Sequence, residues 1–118
     1  MADFGLFIGW GNAVRGREAK AAQVFGEAVE LYSRLQQEGQ IESFDAFFLE
    51  PHCGDLAGFF VVRGDRDAIA RIRASEEVAQ LNMRAGLIVE GFGVVGLETD
   101  ARVQEQMGNF VRYAQELS

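Results

Sequence analysis

Along this chain, segments in which apolar residues recur at every second position alternate with segments in which they recur at every third or fourth position. Short apolar segments, in which apolar residues often occupy alternate positions, predict β-strands over residues 4–12, 41–50, 56–64 and 87–98. Between and after them, apolar residues recur every three or four positions, which predicts amphipathic helices over residues 17–39, 65–86 and 99–118. Gly39 and Gly86 are the expected ends of the first two helical regions, because glycine commonly follows a helix.

Capping residues add detail to the second helical region. Asp65 or Asp67 is expected to cap its start, and Ser75 followed by two glutamates predicts a break and a second helix start. The predicted order is therefore β-α-β-β-α-β-α. Its first six elements match the ferredoxin-like split βαβ pattern, an α+β fold. The fold has a four-stranded antiparallel sheet in the order 4-1-3-2, with both helical regions on one face, and the 118 residues form one domain, 1–118.

Apolar residues occur on both faces of the predicted sheet. In the second strand Phe44 and Phe48 point one way while Phe47 points the other, and the third strand alternates in the same manner. Helices on one face leave the other uncovered, yet an antiparallel sheet that faces water normally carries polar residues there. Either a second copy packs face to face against it in a homodimer, or the C-terminal helix folds over it in a monomer. We favour the homodimer, because one helix covers four strands poorly.

In its element order the chain resembles the dimeric α+β barrel superfamily, which includes antibiotic-biosynthesis monooxygenase-like and stress-responsive barrel proteins. The resemblance covers nearly the whole chain and includes a broken second helix, in the sequence ASEEVAQLNMRAG, that runs into an apolar fourth strand. It implies two sheets packed across a two-fold axis. The activities that it implies range from cofactor-free oxygenation to isomerisation, dehydration and haem chemistry, so the fold alone does not select one.

The charge of the chain excludes several classes of function. The formal net charge is −7, and 10 of the 11 basic residues are arginines, with Lys20 the only lysine. Nucleic acids and anionic membranes need a basic surface, so neither is an expected partner. No apolar stretch is long enough to span a membrane, the first residues lack the basic region of a signal peptide, and Cys53 is the only cysteine. We expect a cytoplasmic protein.

Chemistry-bearing residues gather at one end of the predicted sheet. There the first strand ends, the first helix begins and the connection between the second and third strands turns. The residues expected to bind a ligand at this end are Trp10, Asn12, Arg15, Arg17, Glu50 and Arg84. A helix start and arginine side chains together favour an anion such as a carboxylate. Alternatively, each arginine is simply a solvated surface group.

His52 and Glu90 are the candidate proton carriers. His52 is the only histidine and lies in the turn EPHCGD, and Glu90 is expected inside the fourth strand among apolar neighbours. The alternatives are a surface histidine in a hairpin turn and a glutamate paired with an arginine. No second ligand cluster accompanies His52, and no nucleotide-binding or hydrolase motif is present, so we expect neither a metal nor a cofactor.

Three functions fit these observations. The first is the binding of a small hydrophobic acid or phenolic ligand at the Trp10 end of the sheet. The second is a cofactor-independent enzyme, monooxygenase-like or isomerase-like, in which His52 or Glu90 moves a proton. The third is a purely structural or regulatory dimer without a ligand. Glycines at alternate positions of the first strand could leave space for a ligand beside the sheet, unless phenylalanine side chains fill it.

Overall fold

The computed structural model describes residues 3–118. Its elements in chain order are β1 (Phe4–Trp10), α1 (Glu18–Gln37), β2 (Ser43–Phe48), β3 (Gly58–Gly64), α2 (Arg66–Ala74), α3 (Glu76–Ile88), β4 (Gly93–Glu98) and α4 (Ala101–Glu116). The four strands form one sheet in the order β2-β3-β1-β4, and every neighbouring pair is antiparallel. The predicted element order and the predicted strand order 4-1-3-2 are confirmed.

Side-chain caps set the boundaries between the middle helices. The carboxylate of Asp65 accepts hydrogen bonds from the backbone N–H groups of Asp67 and Ala68, which are free at a helix start. Ser75 ends α2 in an extended conformation, and its hydroxyl accepts the N–H of Val78 at the start of α3. The helix break predicted at Ser75 is confirmed.

The fourth strand is shorter than predicted. Helix α3 continues through Gly86 to Ile88, and β4 begins only at Gly93. A short apolar run fits a buried helix face as well as a strand, and here the burial of Ile88 decides for the helix. The expectation that Glu90 lies inside a strand is therefore wrong: Glu90 lies in an exposed turn next to Gly91, whose φ is +62°.

The core lies between one face of the sheet and helices α1, α2 and α3. The strands contribute Leu6, Ile8, Phe60 and Val62 to it, all buried. The helices pack their apolar stripes onto these residues with Val24, Ala28, Leu31, Tyr32, Leu35, Ile69, Ile72, Val78, Leu81 and Ile88. Burial of side chains of this size stabilises the fold by about 1.5–3 kcal/mol each.

The opposite face of the sheet, here called the open face, is also apolar. Phe7, Phe59 and Phe47 form a row across β1, β3 and β2, with ring centroids 5.0 Å and 4.9 Å apart. Val61, on β3, shares this face, and Val95, on β4, is 54% exposed on it. The prediction that both faces of the sheet are apolar is confirmed.

The last helix does not cover the open face. No residue of α4 is buried, and its apolar side chains are exposed. The alternative in which this helix folds over the sheet is therefore not the conformation of this chain. Within residues 3–118, no helix is both long and apolar enough to cross a membrane.

Candidate functional site

A cavity of about 410 Å³ opens on the helix side of the sheet, at the end where β1 stops. Its floor is formed by β1 and β3 and its walls by α1 and α3. The residues that line it are Ile8, Trp10, Gly11, Asn12, Ala13, Ala21, Ala22, Val24, Phe25, Ala28, Tyr32, Phe48, Ala57, Phe60, Leu81, Asn82, Ala85, Ile88, Val89 and Phe92. Most of these side chains are apolar, which is typical of small-molecule sites.

Trp10 is the centre of an aromatic wall. Its ring centroid lies 4.7 Å from that of Phe60, 6.0 Å from that of Phe25 and 6.4 Å from that of Phe48. The register pairs Trp10 with Gly58, where a Cβ would come within 2.7 Å of the indole ring. Glycine at this position therefore lets the tryptophan ring lie across the neighbouring strand.

Small residues on the two helices leave the space open. Ala21 and Ala28 of α1, and Ala85 of α3, line the cavity without any side chain beyond Cβ. Larger residues at these positions would fill the space between helix and sheet, as larger side chains do in the rest of the core. The cavity is therefore a consequence of alanine placement on two helices that are distant in sequence.

Three polar side chains line the cavity without internal partners. Tyr32 is only 1% exposed, and burial raises its pKa to about 12. In the part of the chain that the structure describes, neither the Tyr32 hydroxyl nor the side-chain amides of Asn12 and Asn82 have a hydrogen-bond partner. A buried hydroxyl normally has a partner. This hydroxyl is not fully enclosed, so a ligand group that hydrogen bonds to Tyr32 would take the place of solvent in the cavity.

Of the residues expected to bind a ligand, the structure brings Trp10 and Asn12 to the cavity. Arg15, Arg17 and Glu50 are exposed and do not line it. All three lie in connections outside the regular elements or at their ends.

Arg84 points to a different part of the molecule. Its guanidinium forms an ion pair with Glu27, with Nη2 and Oε2 3.3 Å apart, and so connects α3 to α1. The hydrogen bond from Arg84 lowers the pKa of Glu27 below its ordinary value of 4.5. Arg84 therefore holds the outer sides of the two helices together, and it does not line the cavity.

His52 is held within its own turn. Its Nδ1 accepts the backbone N–H of Gly54 at 2.9 Å, and Nε2 lies 2.8 Å from the carbonyl oxygen of Leu56, to which it donates. The side chain is exposed and does not line the cavity. Since Glu90 is also exposed and outside the lining, the structure does not bring the two expected proton carriers to the cavity.

The glycines of β1 do not leave a second cavity on the open face. A Cβ at Gly9 would come within 2.7 Å of the Phe7 ring, so this phenylalanine already occupies the space beside the strand. At Gly5 a Cβ would collide with the carbonyl oxygen of Val62 on the paired strand. Among residues 3–118 no group of three or more His, Cys, Asp or Glu side chains is placed to hold a metal ion.

Sequence reasoning missed the buried end of the cavity. The sequence pattern places Tyr32 on the apolar stripe of α1, and it gives the alanines that line the cavity no distinct role. One signal was available: a tyrosine in the middle of a buried helix face needs a partner for its hydroxyl. The alanine positions carried no such signal, because a cavity depends on what lies opposite them.

Comparisons with known proteins place the fold. No protein-family model and no curated protein matches the chain. A structure of a protein of unknown function from Nitrosomonas europaea matches with a TM-score of 0.61 at 20% identity, over 86% of this chain and 92% of that one. SnoaB, a cofactor-independent oxygenase from Streptomyces nogalater, matches with a TM-score of 0.56 at 16% identity, over 84% and 95%.

A third similar structure is described as having a ferredoxin-like fold. It is a dimeric protein of unknown function with a ferredoxin-like fold from Bacteroides fragilis, with a TM-score of 0.57 at 10% identity over 80% of this chain and 95% of that one. Structures from Chloroflexus aurantiacus and Caulobacter crescentus that are named as candidate antibiotic biosynthesis monooxygenases also match. The predicted resemblance in fold to the dimeric α+β barrel superfamily is therefore confirmed. The chain has a ferredoxin-like α+β fold with an added C-terminal helix.

Proposed function

We propose that this protein binds a neutral aromatic molecule with one or two hydrogen-bonding groups, such as a phenol, in the cavity beside Trp10. The observation that supports this most is an apolar cavity in which Tyr32, Asn12 and Asn82, among the described residues, have unpartnered polar groups. Its volume of about 410 Å³ falls within the ~300–1,000 Å³ that is usual for small-molecule sites.

The charge of the lining favours a phenol over an acid. Among residues 3–118, none of those that line the cavity is an arginine, lysine or histidine. A carboxylate that enters an apolar site without a cation loses its hydration and gains no ion pair, which is costly. Of the two ligand classes expected from the sequence, the phenolic one therefore fits this cavity better.

Isothermal titration calorimetry with two matched probes tests the proposal. 1-Naphthol and 1-naphthoate have the same rings and differ in the polar group. We expect 1-naphthol to bind at least about tenfold more tightly, because only the carboxylate must be desolvated as an ion. Absence of binding by 1-naphthol, or a preference for 1-naphthoate, would contradict the proposal and favour a purely structural role.

A pair of alanine variants locates the binding. Ala85 lines the cavity, whereas Ala79, on the same helix, is exposed and does not. Ala85→Leu should reduce the affinity for 1-naphthol by filling the cavity, and Ala79→Leu should leave the affinity unchanged. Equal effects of the two substitutions would show that the probe binds elsewhere.

Catalysis is the second candidate function, because the fold is shared with a cofactor-independent oxygenase. In this hypothesis the bound phenol reacts with O₂ to give a quinone and water. His52 and Glu90, the proton carriers expected from the sequence, lie outside the lining of the cavity, so either would exchange a proton with the phenol only through solvent. Oxygen uptake with 1-naphthol in the wild-type protein and in His52→Ala and Glu90→Gln tests it. A loss of uptake in either variant would support that residue as a proton carrier, and no uptake by the wild-type protein would argue for binding alone.

We also propose that the protein is a homodimer in which the open faces of two sheets pack together. The aromatic row of that face, in which Phe47 is exposed and Phe7 and Phe59 are half-buried, supports this, and a structure of the same fold is dimeric. Phe47 lies on the open face and is 45% exposed, whereas Phe48 lies on the helix side and lines the cavity. Phe47→Asp should therefore weaken the dimer in analytical ultracentrifugation, while Phe48→Asp should weaken 1-naphthol binding. A dimer that Phe47→Asp leaves intact would refute this interface.

A further inference from the structure

Helix α4 carries an apolar stripe that nothing in residues 3–118 covers. The helix has no buried residue. Four of its large apolar side chains, together with that of Leu117 just after its end, recur at the three- and four-residue spacing of one helix face. They are 48–87% exposed and comprise Val103, Met107, Phe110, Val111 and Leu117. An exposed apolar stripe of this length on a soluble chain indicates an interaction surface.

Polar contacts attach α4 to its own chain through a different face. Arg102 Nε donates to Glu98 Oε1 at 3.0 Å, and Gln106 Nε2 lies 3.4 Å from the same oxygen. At the helix base, Arg63 forms an ion pair with Asp100 at 2.5 Å. At 3.6 residues per turn, positions 102 and 106 lie roughly a quarter of a turn from the apolar stripe. The stripe therefore lies beside the side of the helix that contacts the chain, and not on it.

The helix cannot derive much stability from its own sequence. It has 16 residues, near the length below which isolated helices are marginal in water. Gly108 lies in its middle, where glycine costs about 1 kcal/mol relative to alanine. Stable formation of α4 therefore requires that its apolar stripe pack against another surface.

The excess accessible surface of the chain matches in size the area that a second copy would bury. The chain exposes 7780 Å², whereas a compact monomer of 118 residues exposes about 6,300 Å². Two copies together therefore expose about 2,900 Å² in excess, within the ~2,000–5,000 Å² that obligate dimers bury. The radius of gyration of 16.3 Å likewise exceeds the roughly 13.5 Å of a compact chain.

We propose that α4 is a dimerisation arm whose apolar stripe packs against a second copy of this chain. This rests on the homodimer proposed above and adds a second contact beyond the sheets. The charge of α4 argues against a lipid surface as the occupant. Its two arginines are balanced by two glutamates, whereas helices that bind anionic membranes carry an excess of basic residues.

A double substitution in the full chain tests the arm. Met107→Glu with Phe110→Glu puts two charges on the stripe, and Gln104→Glu with Gln115→Glu puts the same two charges on exposed polar positions of α4. Analytical ultracentrifugation measures the dimer dissociation constant. We expect the stripe variant to raise it roughly 100-fold or more, as for central apolar contacts, and the control variant to change it less than about threefold.

Hydrogen exchange on the wild-type protein tests the arm without any variant. Amides of residues 101–116 should become more protected as the protein concentration rises and the dimer forms. Binding of 1-naphthol by the stripe variant checks that it remains folded. If the stripe substitutions leave the dissociation constant of the dimer unchanged, or if the α4 amides of the dimer are unprotected, the proposal of the arm is refuted. The proposal of the homodimer is not affected by either result.

The remaining outcomes separate the arm from the other proposals. A wild-type protein that stays monomeric at tens of micromolar overturns both the arm and the homodimer, while 1-naphthol binding still tests the cavity. Co-sedimentation of the monomer with phosphatidylcholine vesicles, lost in the stripe variant, would replace the second copy by a lipid surface and overturn the proposal.

Discussion

Replacing Tyr32 by phenylalanine should stabilise the ligand-free protein. The hydroxyl of this 1% exposed residue forms no hydrogen bond with residues 3–118 and keeps some solvent contact through the cavity, so folding removes most but not all of its water. An unsatisfied buried group costs about 1–3 kcal/mol, and we take the lower value because the adjoining cavity can admit water. The free energy of unfolding of Tyr32→Phe should therefore rise by about 1 kcal/mol, which for 118 residues is roughly 4 °C in Tm.

The same substitution has a signature at high pH. Burial raises the pKa of Tyr32 from 10.0 to about 12, so the folded state retains the proton between these values while the unfolded state loses it. The contribution of Tyr32 protonation to the free energy of unfolding is complete below pH 10. It is lost as the pH rises through 12, which lowers the free energy of unfolding by about 3 kcal/mol. Tyr32→Phe lacks this loss, so its stability advantage over the wild-type protein should grow above pH 10.

Chemical denaturation of both proteins from pH 7 to pH 11 measures these differences. Tyr113→Phe is the matched control, because Tyr113 is 51% exposed on α4 and its substitution should change stability by less than about 0.5 kcal/mol. Tyr32→Phe should also bind 1-naphthol roughly tenfold more weakly, as expected for one lost hydrogen bond. If Tyr32→Phe destabilises the protein at pH 7, the hydroxyl has a partner and the reasoning is wrong.

Three further substitutions probe the elements around the cavity. Gly58→Ala introduces a Cβ within 2.7 Å of the Trp10 ring, so it should lower thermal stability by about 1–3 kcal/mol and weaken 1-naphthol binding in calorimetry. Ser75→Ala removes the cap of α3 and should cost about 1 kcal/mol in urea denaturation. The pKa of Glu27 is lowered by Arg84, so its contribution to stability exists above pH 4.5 and disappears as the pH falls through the lowered pKa. Glu27→Gln should therefore show a smaller loss of stability on acidification, measured by urea denaturation between pH 7 and pH 3.

The sequence by itself determined the elements and most of their ends. Strand and helix periods, the Asp65 and Ser75 caps and the glycine after α1 are local signals, readable from a few neighbouring residues. The apolar character of both sheet faces was also readable, because side chains alternate along a strand. The largest boundary difference, at residues 87–92, fell in a short apolar run where the two periods cannot be separated. Other ends moved by two residues or fewer, as for β2, predicted over residues 41–50 and observed over Ser43–Phe48.

The tertiary structure decided what each face and each turn does. The sequence showed that Phe47 and Phe48 point in opposite directions, and only the register of β2 with β3 decides which of them faces the helices. His52 was assigned to the site by proximity along the topology, but its two ring nitrogens bond within its own turn. The cavity depends on alanines from two helices lying opposite Trp10, and empty space is a property of packing between distant segments that local sequence patterns do not encode.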